Sequence, residues 1–384
     1  MALLVDLLKL LDLALARPLC GLVGMVVPQA GPTANEDAPP TRILVIRPGG
    51  IGDAVLFLPL LRELRRVWPN SVLDVLAERR NAGVVHGTGL ADDVLRYDAF
   101  PHDLLQVLRR RYDLVIDTEQ YHAMSALVTA ATRAPRRIGF GTNLRRRLFT
   151  QVVPYDQLRY ETLLFLELGR EATGREPTWD PNVPFYDLQP AAIEFAQHVL
   201  APLAGRTLVT IHPGASIPER RWPVERYAEL ARSLVEDGFA VVVIGGKADH
   251  AAAQVIARNF SPNTLLDLTG RTSLAEAAAV IARSAVYVSA DTGPLHLAYA
   301  VGVPTVHLFG AGVLQKWGPP GRKFRSLAAA VPCSPCTVYG YTPPCVQGLA
   351  CMLGITSADV RNAVLAIASP RAAGQLVRDR EATS

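Results

Sequence analysis

Cysteine is nearly absent from this chain until Cys333. Of the five present, four are bunched between Cys333 and Cys351. That excludes a secreted scaffold held together by disulfides. Charge is also scarce: 19% of residues are charged and the net value is +4. No basic run interleaves with aromatics, so nothing speaks for nucleic acid. Arg109-Arg110-Arg111 and Arg145-Arg146-Arg147 are short and read as solvated or phosphate-facing. Two signatures are missing as well. There is no G-x-G-x-x-G, which a dinucleotide oxidoreductase would need. No D-x-D stands at a strand end where Mg²⁺ would be required. What is plentiful is apolar residue, 49% of 384 positions, enough to fill the cores of two or three domains.

Residues Met1 to Val27 are strongly apolar, interrupted by Asp6, Lys9 and Asp12 at every third position. Those three make a narrow polar stripe on a helix. The segment is not basic at its start and not uncharged in its middle, so it is no signal peptide. The charges also disfavour a spanning helix. Two readings stay open: a helix lying in the membrane interface, or one packed on the domain surface. Gln29 to Pro40 is rich in Pro, Ala and Gly and reads as a flexible linker.

From Arg42 the chain alternates strands and helices, which predicts an α/β fold with parallel sheets. Strands are expected at Arg42–Arg47, Val72–Ala77, Leu114–Asp117 and Arg136–Phe140, with helices at Ala54–Trp68 and Arg159–Leu168. A Pro-rich passage from Glu176 to Pro190 divides this series from a second. The second has strands at Leu208–Ile211, Ala240–Ile244, a short one at Leu265–Leu268, Ala285–Val288 and Thr305–Phe309. The expected domains are 1–40 (apolar helix and linker), 41–185 and 186–384. Two such halves predict a cleft at the carboxyl ends of their strands.

Three strand-end loops hold the candidate chemistry. The first, Pro48-Gly49-Gly50-Ile51-Gly52-Asp53, leads into a helix. Asp53 is either an N-cap there or a general base for an attacking hydroxyl. The second, His212-Pro213-Gly214-Ala215-Ser216, offers backbone N–H groups to a phosphate. Arg220 and Arg221 follow within reach, and arginine can hold two phosphate oxygens at once. The third is Asp291-Thr292-Gly293-Pro294-Leu295-His296. Here a strand runs into a helix whose first turn suits Pro294. Asp291 or Thr292 is placed to cap its N–H groups, and the helix N-terminus attracts anions. His296 is expected on the first turn, facing the same crevice. An ordinary strand-to-helix turn with a satisfied histidine is the plain alternative.

Taken together these loops resemble those of glycosyltransferase family 9, the heptosyltransferase family. Arg47 to Asp53 is similar to its R-x-G-x-x-G-D opening. His212 to Pro223 resembles its H-P-G-A-S…K-x-W-P segment, with Arg220 where Lys is usual. Asp291 to His296 is similar to its D-T-G-x-x-H loop. The resemblance implies a GT-B fold of two Rossmann-like doubly wound domains facing a central cleft, the donor in the C-terminal one. It implies inverting, metal-independent transfer of a heptose from ADP-heptose to a lipopolysaccharide-core glycolipid at the cytoplasmic face of the inner membrane. Carried over, Asp53 is the base. Gly214, Ala215, Ser216, Arg220, Asp291, Thr292, Gly293 and His296 hold the donor, and Asp249 is its ribose candidate. Gly50, Gly52 and Glu119 lie on the acceptor side. Cys333, Cys336, Cys345 and Cys351 have spacing that permits a structural zinc, a disulfide or free thiols. A glycosyltransferase using another nucleotide-sugar, or a non-catalytic scaffold that kept the fold, is the alternative.

Overall fold

The run Ile-Leu-Val-Ile after Arg42 is apolar on both faces, which only a central strand covered by helices on each side can satisfy. In the computed structural model, which describes residues 12, 16–26, 38–99, 101–321 and 323–368, it is β1 (Arg42–Ile46), buried beyond its first residue. The N-terminal sheet adds β2 (Val72–Ala77), β3 (Asp93–Arg96), β4 (Leu114–Asp117), β5 (Arg136–Phe140) and β6 (Gln151–Val153). All are parallel, in the order β3-β2-β1-β4-β5-β6. Leu44, Ile46, Leu76 and Val115 fill one of its faces together with Val107 and Tyr112.

The second series builds β7 (Leu208–His212), β8 (Ala240–Val243), β9 (Leu265–Asp267), β10 (Val286–Ala290), β11 (Thr305–Phe309) and β12 (Phe324–Ala328). Its order is β12-β11-β10-β7-β8-β9, again wholly parallel. Counted from its own first strand this is the 3-2-1-4-5-6 order of the first sheet, the doubly wound arrangement whose chain reversal lies between strands 1 and 4. The same topology recurs in two stretches with no obvious sequence repeat. The two compact units divide between Trp179 and Asp180. In the second, Val209, Ile211, Val241, Val288 and Val306 pack with Leu230, Leu234 and Val360 from the covering helices.

Three expectations change. The helix expected over Ala54–Trp68 is two, Ile51–Leu56 and Leu58–Val67, because Pro59 has no N–H to continue the ladder. The helix expected to end at Gly169 runs to Thr173 and stops at Gly174, which takes the left-handed conformation. Most of the Met1–Val27 helix and of the linker, with Asp6 and Lys9, lies outside the described residues. Asp12 does not belong to a solvated stripe: it is 4% exposed. Its carboxylate accepts the N–H groups of Ala123 and Met124 at 2.8–3.0 Å, at the start of the helix Met124–Ala131. The helix Arg17–Val23 sets Ala16, Cys20 and Val23 against Ala123, Ala126, Leu148 and Phe149.

Candidate active site

In the N-terminal half the first glycine turn is built around Arg47. Its guanidinium is 1% exposed and donates to the carbonyls of Pro48 (2.7 Å) and Thr118 (3.0 Å). It lies 3.6 Å from Glu119 Oε2 and faces the Phe165 ring. Burial alone would lower its pKa, but the charges of Asp53 and Glu119 outweigh burial and raise it. Gly49 has φ +107°, and a Cβ there would stand 3.1 Å from Arg47 Nη2, so the turn requires glycine at this place. Gly50 is the N-cap of the helix Ile51–Leu56, with Gly52 and Asp53 inside its first turn. Asp53 Oδ2 accepts the Gly50 N–H at 3.3 Å. Asp53 Oδ1 is shielded from solvent and has no hydrogen-bond partner among the described residues. Asp53 is therefore a helix-start ligand through one oxygen and an available acceptor through the other.

Glu119 follows β4 and turns back on its own loop. Its Oε1 accepts the N–H groups of Gln120, Tyr121 and His122 at 3.0–3.3 Å. Burial would raise its pKa, yet Arg47, His122 and Arg145 bring it below the ordinary value. Arg145 corrects the reading of its basic run as solvated. It is fully buried, pairs with Asp117 at 2.7 Å and donates to the Glu119 carbonyl. Arg146 and Arg147 remain exposed.

In the C-terminal half four loops converge at the carboxyl ends of β7, β8, β10 and β11. Asp291, just past β10, is 4% exposed and pairs with Arg220 Nη1 at 2.9 Å. Arg220 Nε is buried without a hydrogen-bond partner among the described residues. Thr292 is the N-cap of the helix Gly293–Ala300, and Pro294 stands in its first turn as expected. Among the described residues no side chain caps that helix. The Thr292 hydroxyl meets His212 Nδ1 at 3.3 Å instead, which corrects the expected capping by Asp291 or Thr292. His212 Nε2 is 3.6 Å from Asp249 Oδ2, so one imidazole links two of the loops.

Asp249 also accepts the Gly246 N–H at 2.8 Å. Its pKa would rise by burial and is lowered on balance by His212 and the Gly246 N–H. It packs so closely on Gly214 that a Cβ there would come within 2.1 Å of Oδ1. Ala215 is buried and its carbonyl accepts Arg221 Nε at 3.0 Å, while Ser216 is exposed. His296 is 3% exposed, its ring centre 6.5 Å from that of Trp317. It faces the interior rather than open solvent.

Arg47, His212 and Lys316 were not among the expected site residues. Lys316 is 4% exposed with its ammonium 5.3 Å from the Trp317 ring. The first two stand within the motifs themselves, so their positions were available to be read. Nothing in the sequence around Lys316 marks it as buried. No disulfide joins the four late cysteines: Cys333 and Cys345 are exposed, Cys336 is half-buried and Cys351 is buried. Among the described residues no group of three or more His, Cys, Asp or Glu is placed to hold a metal.

Residues 102–346 match the glycosyltransferase family 9 (heptosyltransferase) profile. The chain belongs to this family. Among its relatives is the lipooligosaccharide heptosyltransferase 2 of Haemophilus ducreyi, 30% identical over 292 residues, covering 68% of this chain and 81% of the relative. The lipopolysaccharide heptosyltransferase 2 of Escherichia coli K12 is 26% identical over 289 residues, covering 70% and 82%. Among solved structures, the E. coli ADP-heptose lipopolysaccharide heptosyltransferase II superposes with a TM-score of 0.69 at 23% identity, covering 85% of this chain and 98% of that one. The E. coli heptosyltransferase WaaC with ADP-2-deoxy-2-fluoro heptose gives 0.65 at 19%, covering 84% and 98%. This family 9 chain is an enzyme of the glycosyltransferase class, and its two doubly wound halves are those of the GT-B fold. Among its described residues no helix is long and apolar enough to cross a membrane.

Proposed function

We propose that the chain moves a heptose from ADP-heptose to a lipopolysaccharide-core or related glycolipid acceptor with inversion, Asp53 serving as general base. The observation that carries this is the Asp53 carboxylate: one oxygen fixed by the Gly50 N–H, the other shielded and without a partner among the described residues. Such a group is oriented to accept a proton from a sugar hydroxyl. As that oxygen bonds to the anomeric carbon, the bond to the diphosphate breaks, the proton passes to Asp53 and ADP departs with the negative charge. On the C-terminal half, Arg220 and the uncapped helix start at Thr292 and Gly293 supply the positive potential that stabilises a leaving diphosphate.

The relatives support the choice of sugar and acceptor. They are lipooligosaccharide and lipopolysaccharide heptosyltransferases, and the WaaC structure is a complex with an ADP-heptose analogue. Gly214, Ala215, Ser216 and Asp249 then border the nucleotide, with His296 behind the donor loop. Gly50, Gly52 and Glu119 shape the acceptor side. A glycolipid acceptor places the enzyme at the cytoplasmic face of the inner membrane, with peripheral contact through residues 1–27.

The deciding experiment is a melting-shift panel of nucleotide-sugars on the full chain. It is followed by mass spectrometry of a heptose-deficient core acceptor incubated with the best donor. ADP-heptose should give the largest shift and a product heavier by one heptose. A larger shift with another nucleotide-sugar, and its sugar on the acceptor, would replace heptose in this assignment.

A further inference from the structure

The helix Arg17–Val23 and the turn after it have two faces. One packs on the domain through Ala16, Cys20 and Val23. The other carries Leu19, Leu22, Met25 and Val26, which are 44%, 58%, 71% and 83% exposed. Single exposed apolar residues are ordinary, but four within eight positions at helical spacing form a continuous apolar row. The short turn Leu144–Leu148 lies directly beside them: a Cβ at Gly21 would meet Leu144 Cδ1, and one at Gly24 would strike Arg147 Cβ. That turn exposes Leu144, Arg146 and Arg147. Neither 16–26 nor 141–150 contains an acidic residue.

We propose that the outward face of this helix, with Leu144, Arg146 and Arg147, docks on the surface of an anionic phospholipid bilayer. The proposal rests on the peripheral contact read for residues 1–27 and locates it on particular side chains. An apolar row beside arginines, in two stretches that hold no acidic residue of their own, is the composition of a surface that buries its leucines among acyl chains and its cations among phosphates. A second copy of the chain fits less well. A two-fold contact sets the same patch against itself, and Arg146 and Arg147 would face their own charges with no carboxylate between them. Asp12 ties the docked segment to the protein. Its carboxylate grips the N–H groups of Ala123 and Met124 and lies 3.3 Å from His122 Nδ1, on the loop that carries Glu119. A bilayer-bound face is thereby held to the loop assigned to the acceptor.

The test is flotation of the full chain with vesicles of phosphatidylcholine alone or mixed with phosphatidylglycerol. The parent is compared with Leu22→Glu/Met25→Glu and Arg146→Gln/Arg147→Gln. All altered side chains are exposed, and melting curves confirm that each variant folds. The arginine variant should partition roughly twenty-five-fold less onto the anionic vesicles, about fivefold per charge, and be unchanged on the zwitterionic ones. The acidic variant should fall on both. If the parent floats and both variants float equally well, the membrane reading survives and this face is not its seat. If the parent never floats, both ideas fall. A dimer of the parent that Leu22→Glu/Met25→Glu dissolves, without vesicle binding, assigns the face to a second copy.

Discussion

Asp53 is the residue proposed above as the general base. Asp53→Asn keeps the shape of the side chain and an acceptor for the Gly50 N–H, but it cannot take a proton. Turnover should fall by roughly a hundredfold or more while ADP affinity by calorimetry stays within a few-fold, because the proposed donor loops belong to the other half. Near-normal turnover would remove the base assignment. His307 on β11 offers a second test. It is fully buried with neither ring nitrogen partnered among the described residues. Burial, and then the charge of His296, holds its pKa well below 6.5. The unfolded chain therefore takes up this proton first as pH falls. The stability tied to neutral His307 is complete above pH 6.5 and is lost below it, at up to about 1.4 kcal/mol per pH unit. Urea melts of His307→Gln should show a shallower loss between pH 6.5 and 5 than the parent. An identical slope would assign that proton to another group. Asp53 and Asp291 were legible because their motifs put a carboxylate at a strand end. The roles of Arg47 and Arg145 were not, because one-dimensional spacing does not say whether an arginine turns outward or threads between two buried carboxylates.

At the scale of elements, the loops after β7 and β8 are made to fit each other. Gly214→Ala would drive a methyl into the Asp249 carboxylate. Asp249 would have to leave Gly246 and His212, which couples the change to Thr292 and the donor loop. We expect a stability loss of about 1–3 kcal/mol, seen in denaturant melts, and weaker ADP binding by calorimetry. A variant with parental ADP affinity would show that Asp249 has no part in the donor site. The Asp12 clamp is a second element-scale device. Its pKa would rise by burial but is lowered on balance by His122 and the Ala123 and Met124 N–H groups. Its contribution is therefore present above the unfolded value of 3.8 and lost as pH falls below it. Asp12→Ala should speed hydrogen exchange at Ala123 and Met124 at neutral pH, where the parent is protected. The central strands of both sheets were readable as apolar runs. The edge strands β3, β6 and β12 were not, because edge positions are half-exposed and carry Asp, Arg, Gln and Ser where central strands carry Val and Ile.

For the whole molecule, the doubly wound class followed from the alternation of strands and helices. The identical 3-2-1-4-5-6 order did not, since strand order depends on which crossovers fold back over which sheet face. Each half has its own core, so a ligand held by one half stabilises that half directly. Saturating ADP at a hundred times its Kd should add about 2.7 kcal/mol to the unfolding free energy of the half that binds it. Exchange protection should then rise in β7, β10 and the helix Gly293–Ala300 more than in β1 and β4. Equal protection in both sets of strands would mean that ADP is not held by the C-terminal loops alone.

If Arg220 holds the donor diphosphate as proposed, its 2.9 Å contact with Asp291 carries a consequence for turnover. A strong phosphate ligand left bare after each turnover would cling to its product. Here the arginine has a built-in replacement: when the diphosphate leaves, the aspartate is already within reach to neutralise it. On that reading Asp291 is the counter-ion of Arg220, and an incoming diphosphate competes with it. Such a resident anion trades tight binding for quick exchange, which suits an enzyme whose spent nucleotide must depart before the next sugar arrives.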